Sequence, residues 1–212
     1  MTTRTLTRRA ALVAATGFAS VVLAACGGSG AHPAHGTQAS PSTPATADST
    51  AHNAQDVAFA QGMIPHHQQA LEMARLADGR AISARVKDLA ARIEKGQDPE
   101  IRTMTGWLKA WGEQVPMAGM DHSGHAGMSG KAGMMSDGDM TALEKATGKD
   151  FDTKFLSLMV QHHRGAVETA TTEKTKGRYG PAKGMADDIV GAQTAEIEEM
   201  NKLLGESGKT DS

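Results

Sequence analysis

The chain has 212 residues, of which 39% are hydrophobic but only 3% aromatic, and its formal net charge is -2. That length admits one ordinary domain plus attachments, with a core built mainly from Leu, Ile, Val, Ala and Met. A mildly acidic balance with no basic patch argues against nucleic acid as a partner, and the single cysteine, Cys26, excludes an intrachain disulfide.

Arg4, Arg8 and Arg9 precede an apolar run from Ala10 to Ala25. A charged start followed by a short apolar stretch reads as a signal peptide over residues 1–25. The run ends Leu23-Ala24-Ala25-Cys26-Gly27. This resembles the bacterial lipobox, whose cysteine is lipidated and becomes the new N-terminus. Arg8-Arg9 loosely resembles a twin-arginine export signal. A lipid on Cys26 would make the protein an exported one, tethered to the membrane on its extracytoplasmic side rather than spanning it. No other apolar run approaches the ~20 residues that a membrane span needs. Losing residues 1–25 removes three arginines and no acid, so the rest of the chain sits near -5. Residues 26–52 are mainly Gly, Ser, Thr, Pro and Ala, too poor in large apolar side chains to fold, and read as a flexible tether. His32, His35 and His52 in or near it read as solvated strays.

The helical body follows, over residues 53–205. Phe59, Met63, His66, Ala70, Met73 and Ala77 recur at alternating steps of four and three, one stripe of a helix that Asp78-Gly79 ends. A second helix places Val86, Leu89, Ile93, Ile101, Met104, Leu108 and Trp111 on its inner side. Asp98-Pro99 predicts a kink or restart there, with Asp98 as the cap. Thr141-Ala142-Leu143-Glu144 fits a capping box that opens a short helix ending at Gly148. A third long helix is predicted from about Asp150 to Thr175, with Phe151, Phe155, Met159, His162, Ala166 and Thr169 on one stripe. A loop from Gly177 to Gly184 leads into a fourth, about Met185 to Leu204, with Ile189, Ile197, Met200 and Leu204 together. Residues 206–212 form a tail.

The two halves are copies. Met63-Ile64-Pro65-His66-His67-Gln68-Gln69-Ala70 returns as Met159-Val160-Gln161-His162-His163-Arg164-Gly165-Ala166, 96 residues later. The same offset carries Asp56 onto Asp152 and Phe59 onto Phe155. It also carries Gln97, Glu100, Ile101, Met104 and Leu108 onto Gln193, Glu196, Ile197, Met200 and Leu204. One offset over two separated segments argues for a duplicated helical hairpin. Repeat one is 54–113 and repeat two 150–205, and residues 114–140 are a connection long enough to cross the bundle. The expected fold is all-α: a four-helix bundle of two hairpin repeats.

The repeated Phe-x3-Met-[Ile/Val]-x-His-His-x2-Ala signature, followed by Gln-x2-Glu-Ile-x2-Met, resembles the bacterial domain of unknown function 305 family. The resemblance covers roughly residues 53–205. It implies a ferritin-like four-helix bundle, commonly exported, with some members implicated in copper or silver binding and tolerance.

Adjacent residues on a helix point about 100° apart, so His66 and His67 cannot readily chelate one ion together. Met63, His66, Glu100 and Met104 converge if the two helix faces meet, with His67 at the edge of the stripe. Met159, His162, Glu196 and Met200 would do the same, with His163 beside them. Clustered imidazole, thioether and carboxylate groups are a metal-ligand set. The plainer account is that a buried histidine bonded to a glutamate is a satisfied core pair and that a methionine at helical spacing is packing. Pro65 frees the Gln61 carbonyl as a ligand or, more simply, kinks the helix. Glu72 and Glu168 lie well around the helix from both histidines and read as surface residues. Neither begins the Glu-x-x-His motif of a di-iron bundle enzyme, since Arg75 and Thr171 stand at the third position.

The connection is the second signal. Six of the 13 methionines lie between Met117 and Met140, in a glycine-rich stretch with no core to bury them. Met117, Met120, His122, His125 and Met128 are soft or intermediate donors suited to Cu(I), Ag(I) and Cu(II). They are serviceable outside the cytoplasm, where thiols tend to be oxidised. The expected function is copper binding for buffering, tolerance or delivery, with the membrane and other copper-handling proteins as partners. Proton competition for histidine would weaken that binding below about pH 6. The alternatives are a ferritin-like metalloenzyme and a surface interaction module whose histidines only stabilise the core.

Overall fold

The computed structural model describes residues 51–116 and 132–207. The segment expected to be a signal peptide, Cys26, His32, His35, nearly all of the expected tether and residues 208–212 lie outside the described residues, as do Met117, Met120, His122, His125 and Met128.

Five helices and no strand stand among the described residues: α1 (Ala54–Leu76), α2 (Ala84–Trp111), α3 (Asp137–Lys145), α4 (Gly148–Lys176) and α5 (Gly180–Ser207). Asn53 opens α1 with a capping box: its side chain accepts from the Gln55 and Asp56 amides, and Asp56 accepts from the Asn53 amide. Ser83 caps α2, and Gly112 ends it at φ 74°, a left-handed conformation suited to glycine. Pro99 does not interrupt α2, contrary to the kink or restart expected there. It is exposed, beside exposed Lys95, so the carbonyl it leaves unbonded can turn to water. The capping box of α3 likewise differs from the expectation. It is Ser136 with Asp139, and Thr141 to Glu144 fall inside the helix.

α1 pairs with α2 and α4 with α5, each as a hairpin, and α1 packs against α4. α2 and α5 barely touch. Phe59 and Met63 share one apolar cluster with Ala166 and Ala170, whereas Ala70 and Met73 share the other with Phe155 and Met159, so α1 and α4 run antiparallel. The result is a four-helix bundle with α3 laid against α4 and α1.

The halves hold each other by equivalent bonds. Asp56 of α1 accepts the Tyr179 amide at 2.9 Å, at the turn between α4 and α5. Asp152 of α4 accepts the Ser83 amide at 2.9 Å, at the turn between α1 and α2. The acids and the amides are each related by the 96-residue offset. Each hairpin therefore carries a carboxylate that caps the other's turn, and both carboxylates are buried.

Candidate metal centre

Nine polar or charged residues are buried among those described, and eight are repeat pairs: Asp56 with Asp152, His66 with His162, His67 with His163, and Gln97 with Gln193. Burying a polar group costs about 1–3 kcal/mol unless it is paired, so retaining the same four in both halves marks them as a designed layer. Glu173 is the ninth and has no counterpart, because Ala77 stands at its position in the first repeat.

The histidine doublet divides its work between two neighbours. His66 faces His162 across the α1–α4 contact, ring centroids 3.7 Å apart and planes 38° apart. His67 turns to α2, where its Nε2 lies 2.7 Å from Oε2 of Glu100. His163 meets Glu196 of α5 at the same 2.7 Å. The 100° step between adjacent helix positions produces this split. Glu100 therefore pairs with His67 rather than with His66, as the stripe alone had suggested, and Glu196 pairs with His163 rather than with His162.

None of the four ring nitrogens of His66 and His162 makes a well-formed hydrogen bond, although the backbone of Ala132 and of His162 lies near enough to His66 to favour its charged form slightly. Burial, with the neighbouring His67 and His163 adding to it, pushes the His66 pKa down to about 3. Burial, with His66 next in effect, holds His162 well below the usual imidazole value too. Both rings are therefore neutral at physiological pH, each with a free lone pair, and neither has a donor to satisfy it. The weakening of binding near pH 6, expected from ordinary histidines, does not apply to these two: proton competition at them sets in far lower.

Met63, Met104, Met159 and Met200 are all at most 1% exposed. Met63 and Met104 lie in one apolar cluster, and Met159 and Met200 in the other, so the imidazole layer sits where the two clusters adjoin. No three His, Cys, Asp or Glu side chains among the described residues are grouped so as to hold a metal ion. An ion at the His66–His162 pair would have to complete its shell from other donors, and thioethers are the ones these helices supply. Glu72 and Glu168 are exposed, in keeping with a surface role.

The connection returns to the body at this layer. Ala132 and Gly133 lie so close to α4 that a Cβ on Gly165 would stand 2.0 Å from the Ala132 carbonyl oxygen. Gly133 itself has φ 77°. Met135 is clamped by Gln69, which donates to its carbonyl at 3.0 Å and accepts from its amide at 2.7 Å. Gln69 and Gly165 are equivalent under the offset, and both hold the returning chain. Their mismatch in the repeat was the only sequence sign of this role. The buried amides Gln97 and Gln193 were legible only as repeat matches, since both polar atoms of Gln97 and Oε1 of Gln193 lack partners.

The fold and this layer define a duplicated helical-hairpin protein with paired buried imidazoles in a methionine-bearing core. The chain belongs to the DUF305 family, a domain of unknown function, whose sequence profile matches residues 56–204. A DUF305 protein of Streptomyces coelicolor, described as secreted, is 33% identical with a TM-score of 0.66, over 73% of this chain and 92% of that one. A DUF305 fragment from Deinococcus radiodurans is 30% identical with a TM-score of 0.63, over 73% and 97%. CopM in its Cu(II)-bound form is 34% identical with a TM-score of 0.60, over 71% and 96%. CopM structures bound to Cu(I) and to silver are also similar to this chain. No curated protein matches it.

Proposed function

We propose that this is an exported, lipid-anchored copper-binding protein that takes up Cu(I) or Ag(I) for buffering, tolerance or delivery. The observation that carries the reading is the His66–His162 pair: two buried, neutral rings 3.7 Å apart whose nitrogens make no well-formed hydrogen bond. An unpaired buried lone pair is costly, and a soft cation would satisfy both rings at once. A metal–imidazole bond of ~2 Å runs in the ring plane along a nitrogen lone pair. An ion would therefore sit at the shared nitrogen edge of the two rings and not between their faces, which are in contact. Met63 and Met159, with Met104 and Met200 from the flanking helices, supply thioethers that favour Cu(I) and Ag(I). His67 and His163 back the layer, oriented by Glu100 and Glu196.

The similarity to CopM, whose structures hold Cu(I), Cu(II) and silver, supports the same cargo here. Met117, Met120, His122, His125 and Met128 add soft and intermediate donors in the same stretch of sequence whose end, at Ala132 and Gly133, lies against α4. The lipobox at Cys26 and the relative described as secreted support an extracytoplasmic place at the membrane. No described helix is long and apolar enough to cross a bilayer. Other copper-handling proteins would be the partners.

The test is competitive titration of Cu(I) into the chain lacking residues 1–26. His66→Ala with His162→Ala should remove the core equivalent, and deletion of residues 117–131 should remove the remainder. The core equivalent should lose less affinity on acidification than a site built of ordinary histidines, because burial disfavours the charged form of both rings. Unchanged stoichiometry in both variants would end the proposal.

A further inference from the structure

Between α2 and α5 lies a cavity of about 40 Å³. Its polar wall is Gln97 and Glu100 from one helix and Gln193 and Glu196 from the other, and the rest is apolar or glycine. Every wall residue faces its repeat equivalent, so the cavity lies between the two halves. No Lys or Arg lines it.

The polar groups here are under-used. Gln97 is 4% exposed and Gln193 3%, yet both polar atoms of Gln97 and Oε1 of Gln193 have no partner. Glu100 and Glu196 each spend Oε2 on a histidine, which leaves Oε1 of both for another partner. Their side chains are 25% and 18% exposed, so the cavity communicates with solvent past the carboxylates. A water needs roughly 10–15 Å³ of such space, so the volume admits an ion and an accompanying water.

We infer that this cavity is a second cation site, oxygen-lined and joined to the imidazole–thioether layer only through the Glu100–His67 and Glu196–His163 bonds. Two carboxylates and two amide oxygens, with no sulfur and no cationic side chain, suit a hard divalent ion such as Mn(II). The ion would offset the two negative charges and take up both orphaned amide oxygens, while the accompanying water would accept from Nε2 of Gln97. The site does not depend on copper occupying the interior, and it adds a second chemical class of ligand to the bundle.

Mn(II) is the probe, because thioethers bind it poorly and its free aqueous form is read directly by electron paramagnetic resonance. Titrating the chain lacking residues 1–26 should remove the signal of one equivalent. Gln97→Leu with Gln193→Leu should weaken that uptake about tenfold or more, the range seen when a metal's polar surroundings are stripped. The same double variant should keep its Cu(I) stoichiometry, whereas His66→Ala with His162→Ala should keep Mn(II). The two sites thus fail separately. No Mn(II) uptake, or uptake unchanged by the leucine pair, would show a cavity that holds water only and would overturn the inference. If the leucine pair does not fold, Gln97→Glu decides. A third carboxylate should tighten Mn(II) binding, and unchanged binding again overturns the site.

Discussion

Two neighbouring histidines on α1 answer to two different helices, and this is the residue-scale fact that helical periodicity alone did not yield. Periodicity put His66 and Glu100 on facing stripes, but it fixes angles only around one axis. Which flank of α1 meets α2 and which meets α4 depends on how the hairpins dock, and that docking gave Glu100 to His67. The chemistry was legible as a set of residue types, and its pairing was not. Glu173 was wholly missed, because a single acid near a helix end carries no pattern. It is fully buried, with Asp56 and Gln55 beside its carboxyl group. Burial, with Asp56 beside it, pushes its pKa up from 4.5 to about 8. The retained proton gives Glu173 an O–H to donate to Asp56. Asp56 stays below the usual carboxylate range: burial raises it, but bonds from Glu173 and from the Asn53, Tyr179 and Arg178 amides outweigh that. Between pH 4.5 and 8 the unfolded chain loses the Glu173 proton while the folded chain keeps it, so stability falls as pH rises through that window. Glu173→Gln should remove the penalty. Thermal melts should show the variant gaining up to a few kcal/mol at pH 8 and almost nothing at pH 4.5. An equal gain at both pH values would contradict the protonation account.

At the scale of elements, four long helices were readable because each carries one continuous apolar stripe. The errors concerned punctuation, among them the loop expected from Gly177 to Gly184, where α5 already begins at Gly180 with Pro181 in its first turn. Pro99 breaks a helix only when the carbonyl it abandons is buried, and here the solvent face absorbs the loss. Thr141 to Glu144 has the form of a capping box, but Ser136 and Asp139 make the same reciprocal bonds a turn and a half earlier. Burial of the connection's end against α4 was invisible, because glycine leaves no hydrophobic signal. Its cause is the bare surface of Gly165, against which Ala132 and Gly133 rest. Gly165→Ala should therefore act through the connection rather than through α4, where alanine is the better helix former. The added methyl meets backbone, which cannot swing aside as a side-chain tip can. The expected loss is about 1–3 kcal/mol, measured as a lowered melting midpoint. Its counterpart Gln69→Ala should release Met135 by removing both clamp bonds.

On the scale of the whole molecule, the duplication was legible because one offset survives without insertion across both helices of each hairpin. The opening between α2 and α5 was not legible, since sequence shows which residues repeat but not how far their helices stand apart. The caps exchanged between Asp56 and the Tyr179 amide, and between Asp152 and the Ser83 amide, bear on how the molecule came to be and how it can be taken apart. Residues 51–116 and 132–207, made as separate polypeptides, should each be poorly folded alone and regain helicity when mixed, because each lends the other its missing acid. Circular dichroism of the fragments, alone and combined, reads this complementation. Asp152→Asn in one fragment should impair it even though that fragment's own turn is untouched. A lone ancestral hairpin would have met the same need by self-association, and the present chain is then that dimer written as one gene.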